Sequence, residues 1–131
     1  MSNIDNNSDL LHNQENKNEF ELFQMVNRNK NYRTVVNNIE FEWDTLKNKK
    51  TINKHGISFE EAAEIFSKPD TIIEYDEDHS DLEDRWNAIG YSTKQRALIV
   101  CHCYKENNII RIITARKASK EDIDFYNEQN S

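Results

Sequence analysis

The stretch Ile109-Ile110-Arg111-Ile112-Ile113-Thr114-Ala115-Arg116-Lys117-Ala118-Ser119 decides how this chain folds. Its density of β-branched residues predicts a strand. Simple alternation sets Ile109, Arg111 and Ile113 on one face and Ile110, Ile112 and Thr114 on the other. Both faces are then mostly apolar, which places the strand inside a sheet. A guanidinium is always charged and costly to bury unpaired, so Arg111 requires a carboxylate, carbonyls or a ligand phosphate. Arg116, at the strand end, is free to project into a cleft. Salt bridges that hold the strand explain both arginines as well as a ligand does. Ser119 is positioned to start a final helix, with Asp122 at its third residue and Ile123, Phe125 and Tyr126 as docking residues.

Working upstream, Arg85–Ser92 and Ala97–Tyr104 read as two more strands, and the polar turns 93–96 and 105–108 make the three a meander. In the middle strand Ala97, Ile99, Cys101 and Cys103 share one face and Leu98, Val100, His102 and Tyr104 the other. The chain's two cysteines, Cys101 and Cys103, are poorly placed for a disulfide and read as reduced core residues. Cys101-His102-Cys103 is no zinc motif, since adjacent strand residues point opposite ways and no second ligand pair exists. A further strand, Thr71–Tyr75, runs into the acidic loop Asp76–Asp84. Asp76, Asp78 and His79 are hard ligands close together, but the loop lacks the glycine and terminal glutamate of a calcium site. A solvated loop or a docking surface for a basic partner fits it better.

Two helices come before these strands. Ser58-Phe59-Glu60-Glu61 has the form of a capping box, and Phe59, Ala62, Ala63 and Phe66 repeat at helical spacing up to Pro69. Asp44 caps an earlier helix that ends at Gly56 and carries Lys47, Lys50 and Lys54 on one face. That face is either a solvated lysine stripe or a phosphate contact. Ile39-Glu40-Phe41-Glu42-Trp43 alternates as an edge or half-buried strand, and the ordered domain is expected to start there and to span residues 39–131. Residues 1–38 form an asparagine-rich extension whose composition predicts disorder, apart from a possible short helix over Glu19–Arg28. The expected fold is α+β, a small antiparallel sheet packed by two N-terminal helices and a C-terminal helix, in the order β-α-α-β-β-β-β-α.

At 131 residues there is room for one domain and one modest core. A net charge of -7 argues against non-specific polyanion binding, so any nucleic-acid contact requires a local basic patch. There is no run of apolar residues long enough to span a membrane and no signal-peptide pattern after Met1, and the expected compartment is the cytoplasm. With two glycines, a nucleotide-cradling loop is excluded. No nucleophile–base–orienter set is evident. What remains is a set of arginines on a small sheet beside a lysine-faced helix. Such a cleft suits a phosphodiester, because guanidinium forks bind its non-bridging oxygens and neutralise charge that builds at phosphorus.

Four separated blocks in order, Phe41-Glu42-Trp43-Asp44, Asn53–Ala62, Asp78-His79-Ser80 with Arg85 and Ile89-Gly90, and Arg111–Ala118, resemble the BrnT family of type II toxins over residues 39–126. The resemblance implies a RelE-like fold and a ribonuclease that arrests translation. It also implies a BrnA-like ribbon-helix-helix antitoxin that neutralises the toxin and carries it to operator DNA. On that basis Arg85 and Arg116, with Arg111 third, are the expected phosphate-stabilising residues, acting without metal or cofactor. His55 is the expected proton-transfer group, with His79 and His102 as alternatives, and Lys47, Lys50, Lys54 and Lys117 are expected to contact RNA in a cationic cleft. The other reading is a non-catalytic module that keeps antitoxin and operator-complex binding. The extension departs from the family; it is either an addition or the result of an upstream start, with Met25 as another initiator.

Overall fold

The computed structural model describes residues 30–131; the helix considered over Glu19–Arg28 lies outside them. Six strands, β1 (Asn31–Val36), β2 (Ile39–Asp44), β3 (Ile72–Tyr75), β4 (Trp86–Tyr91), β5 (Ala97–Lys105) and β6 (Ile109–Lys117), form one sheet in the order β1-β2-β6-β5-β4-β3. Helices α1 (Thr45–His55) and α2 (Phe59–Glu64) lie between β2 and β3, and α3 (Lys120–Gln129) follows β6. Tyr32–Ser131 make up a single unit. Among the described residues no helix is long and apolar enough to cross a membrane.

The element order is therefore β-β-α-α-β-β-β-β-α, and the sheet is mixed rather than antiparallel. The first departure is the added strand β1, and the second is the parallel pairing of β2 with β6. Asn37 and Asn38 take positive φ values of 53° and 69°, the backbone of a two-residue hairpin turn, which asparagine tolerates better than other residues with a Cβ. The strand-forming run Tyr32-Arg33-Thr34-Val35-Val36 thus folds back on β2, and the sheet takes in residues upstream of Ile39. With β1 on its outer side, β2 is an interior strand and pairs in parallel with β6, Phe41 opposite Ile110 and Glu42 opposite Arg111.

One face of the sheet carries the main core, in which Phe41, Trp43, Leu98, Val100, Ile110 and Ile112 meet Phe59, Ala62, Ala63 and Ile65. Phe59 sets its ring edge-on to Trp43, and Phe66 does the same to the buried His102. α1 is capped as its sequence predicts, with Asp44 accepting from the Leu46 and Lys47 N–H groups and Gly56 taking the left-handed C-terminal turn at φ 69°. No residue of α1 is buried. α2 is not closed by a reciprocal capping box. Ser58 accepts from the Glu61 N–H, but the Glu61 carboxylate turns away to Ser92 and Arg96, and the Arg96 guanidinium also donates to the Gly56 carbonyl. Those partners, led by Arg96, hold the Glu61 carboxyl below its usual range despite burial. The reciprocal box is in α3, between Ser119 and Asp122. This helix covers only the β3–β4 end of the opposite face, packing Tyr126 and Phe125 on Ile72, Ile89 and Ile99. Among the described residues no helix covers the rest of that face, which is open in that sense.

Candidate active site

The open face owes its content to one irregularity. Residues five apart on a regular strand lie on opposite faces, so Arg111 and Arg116 should point away from each other. In β6, however, the pairing with β5 shifts register: Cys101 is opposite Thr114 but His102 is opposite Ile112. Ile113 is the extra residue, a β-bulge that reverses the alternation beyond it. Cys103 is opposite Arg111 and Ile99 is opposite Arg116, and Cys103, Cys101 and Ile99 share one face, so both arginines emerge on the open side. Thr114 joins them there, while Ala115 turns into the core. The regular alternation expected along β6 is corrected accordingly.

Each arginine has a carboxylate partner. Arg111 donates to Glu42 at 2.8 Å, a contact set by the parallel β2–β6 register, and Arg33 from β1 reaches the same carboxylate at 3.2 Å. Arg116 donates to Asp122 at 3.0 Å, and Asp122 also accepts from the Ser119 N–H and hydroxyl. Burial acts to raise the Asp122 carboxyl, but the Ser119 donors and Arg116 outweigh it and hold it below its usual range. Arg85 is the least satisfied. It reaches Glu83 at 3.4 Å, but Glu83 is already engaged by Lys105 at 3.2 Å, and the buried Arg85 Nε is the one such side-chain nitrogen or oxygen among the described residues without a hydrogen-bond partner.

Arg85 stands between two clefts. The larger, about 450 Å³, is lined by Arg85, Arg116, His79, Asn87, Cys101, Thr114 and five carboxylates: Glu74, Asp76, Asp78, Glu121 and Asp122. The smaller, about 230 Å³, is lined by Arg85, Arg111, Lys47, Asp44 and Glu83 together with Ile112 and Ile113. The site is thus not the cationic cleft expected. The acidic loop that follows β3 and the first turn of α3 fold onto the arginine-bearing face, which supplies more carboxylates than guanidinium groups.

The acidic loop has internal order of its own. The His79 imidazole Nδ1 lies 2.9 and 3.1 Å from the two Asp76 carboxylate oxygens. Cys101 offers its thiol to the same carboxylate at 3.8 Å, and burial beside Asp76 pushes that thiol up to about 11, so it is no nucleophile at neutral pH. Ser80 ties the loop to Arg85: its hydroxyl donates to the Asp76 carbonyl at 2.6 Å and accepts from the Arg85 N–H at 2.9 Å. The Asp76 N–H in turn donates to the Arg85 carbonyl at 2.9 Å. Among the described residues, no group of three or more His, Cys, Asp or Glu side chains is arranged to hold a metal ion.

Of the residues singled out from the sequence, the fold brings together Arg85, Arg111, Arg116 and Lys47. Lys50 and Lys54 continue along exposed α1. Lys117 is opposite Leu98, one residue beyond Arg116 and so on the other side of β6. His55 is the exposed last residue of α1 and lines neither cleft. His102 is sealed between Phe66 and Tyr104, and burial pushes it down to about 4. Sequence reasoning missed Glu42 and Asp122 as arginine partners and the Asp76–His79 contact. The three-residue spacing of Asp76 and His79 was the one available signal of that contact.

A crystal structure of the Brucella abortus ribonuclease toxin BrnT is similar at 24% identity, covering 60% of this chain and 94% of that one, with a TM-score of 0.45. No curated protein sequence gives a significant match. The sequence model of the family described as "Ribonuclease toxin, BrnT, of type II toxin-antitoxin system" matches residues 43–122, more than half of the chain. The matched span runs from Trp43 in β2 to Asp122 in α3 and takes in Arg85, Arg111 and Arg116, and the chain belongs to the BrnT family of ribonuclease toxins of type II toxin–antitoxin systems.

Proposed function

We propose that this protein is a metal-independent endoribonuclease that arrests translation and is neutralised by a BrnA-like ribbon-helix-helix antitoxin, which alone contacts operator DNA. The observation that carries the reading is Arg85: a guanidinium between two clefts with a buried Nε that has no acceptor, flanked by Arg116 in one cleft and Arg111 in the other. The terminal nitrogens of the same guanidinium, which Glu83 engages only at 3.4 Å, supply the donors for a phosphodiester oxygen in either cleft. RNA brings its own nucleophile in the 2′-hydroxyl, so the protein must hold that oxygen in line with the leaving 5′-oxygen, move two protons and neutralise the charge at phosphorus. Arg85 and Arg116 take the neutralising role, Arg111 anchors the strand at the second cleft, and Lys47 holds the adjacent backbone phosphate.

The carboxylate excess supports a second reading, a non-catalytic module whose clefts receive a basic antitoxin segment. One experiment separates the two: induction of the chain without an antitoxin, with RNA 5′ ends mapped. A ribonuclease halts growth and leaves 5′-hydroxyl and 2′,3′-cyclic or 3′-phosphate ends, in the presence of EDTA as without it. Arg85→Ala and Arg116→Ala each lower the cleavage rate about 30- to 1,000-fold, the loss of about 2–4 kcal/mol of transition-state stabilisation. Full toxicity in the double variant, or EDTA-sensitive cleavage leaving 3′-hydroxyl ends, overturns the mechanism. Stoichiometric antitoxin binding without any new RNA ends establishes the module instead.

A further inference from the structure

The acidic loop holds a histidine in the way an acid–base catalyst is held. A carboxylate offers only acceptors, so the Asp76 contact at 2.9 Å puts the proton of a neutral His79 on Nδ1 and leaves Nε2 bare. The two members differ in exposure as base and orienter should: the Asp76 side chain is 10% exposed and that of His79 67%. Asp76 is fixed from three sides, by the Cys101 thiol, by its own N–H on the Arg85 carbonyl and by the Ser80 hydroxyl on its carbonyl. Ser80 also accepts the Arg85 N–H, so one hydroxyl couples the turn bearing His79 to an arginine that lines the same cleft. A merely solvated histidine has no need of a buried carboxylate or of that tie.

We propose that His79 is the proton-transfer residue of this site, with Asp76 as its positioning residue and Ser80 as the clasp that keeps the pair in register with Arg85. The proposal deepens the ribonuclease reading and rests on it. In the step assigned to it, His79 Nε2 takes the proton of the RNA 2′-hydroxyl as the 2′-oxygen bonds to phosphorus. The bond from phosphorus to the 5′-oxygen breaks, and that oxygen takes a proton from water. The products are a 2′,3′-cyclic phosphate and a 5′-hydroxyl, and the imidazolium returns its proton to solvent. No oxidant, metal or second substrate is required.

Other charged or titratable groups face the same cleft: Glu74 on β3, Arg85 before β4, Cys101 on β5, Arg116 on β6 and Glu121 and Asp122 on α3, besides Asp78 in the loop itself. A pH profile must therefore be read against variants. The test is the rate of RNA cleavage by the purified full chain between pH 5 and 8, on protein-free cellular RNA and on translating ribosomes. His79→Gln is expected to slow cleavage at least about 100-fold, to remove the acid limb of the profile and to regain part of the rate with added imidazole. Asp76→Asn is expected to slow cleavage about 10-fold through kcat with KM held, and Asp76→Glu to regain part of that rate, which a loss of loop packing alone does not do. A His79→Gln rate within about threefold of wild type, with its acid limb in place and Arg116→Ala still slow, overturns the dyad and leaves the ribonuclease reading standing. Absence of cleavage by the wild-type chain on both substrates ends both.

Discussion

The two faces of the central sheet are built from alternate residues of the same strands and have opposite character. Under α2, Phe41, Trp43, Leu98 and Val100 are fully or almost fully out of water, and even the histidine among them, His102, is held neutral. On the other face, beyond the small cap of α3, the strands present Glu42, Arg111, Arg116 and Cys101, and loops add Asp76, His79 and Arg85. Apolar burial on the first face supplies the stability that allows the second to hold ions at distances set by chemistry rather than packing. Substitutions should therefore divide cleanly: those under α2 change folding, and those in the clefts change activity.

The largest expected effect breaks the first face. Phe59 is fully buried and packs edge-on to Trp43 at 5.9 Å between ring centres. Phe59→Ala should destabilise the fold by about 3–5 kcal/mol, measured by denaturant unfolding, since it removes both the transfer term and the neighbours' contacts. A cost below about 1 kcal/mol would mean that α2 is not what closes the core.

Next comes the dryness of that face, read through His102. Its folded value of about 4 is below the ordinary 6.5 because burial penalises the charged form. The unfolded chain thus binds more protons between these values, and stability is complete above about pH 6.5 and falls as the pH drops toward 4, by up to about 3 kcal/mol. The depressed carboxyls Glu61, Glu83 and Asp122 add their own losses only below about pH 4.5. The diagnostic window is therefore pH 6.5 to 4.5, where the melting temperature should decline in wild type and stay nearly level in His102→Leu. A level wild-type curve there would show that water reaches the face.

The smallest expected effect is on the charged side. The Arg116 side chain is 51% exposed, so Arg116→Ala should change unfolding stability by no more than about 1 kcal/mol even as it removes activity. Asp122 keeps its Ser119 partners in that variant. A larger loss of stability would tie the cleft arginine to the anchoring of α3 and blur the division between the two faces.

Much of this was legible in local sequence. The caps at Asp44, Gly56, Ser58 and Ser119, the meander β4–β6 and the apolar repeat of α2 follow from rules that act over a few residues, and the four blocks that resemble BrnT fixed the family. Arg111 and Arg116 stood out because charge in a β-branched run needs a partner, and Arg85 through the resemblance to the family. The tertiary structure alone decided the rest. Asn37-Asn38 has the composition of a disordered tract and became a hairpin turn only because β1 had β2 to pair with. Glu61 has the spacing of a capping residue and was drawn instead to Arg96, 35 positions away. The bulge at Ile113, which turns Arg116 to the same side as Arg111, leaves no mark in composition or periodicity, since it depends on how β5 and β6 settle against each other across the whole ladder. The partners of the arginines, Glu42 across a parallel register and Asp122 in the last helix, are of the same kind. Sequence sets which groups must be satisfied, and long-range pairing sets by whom.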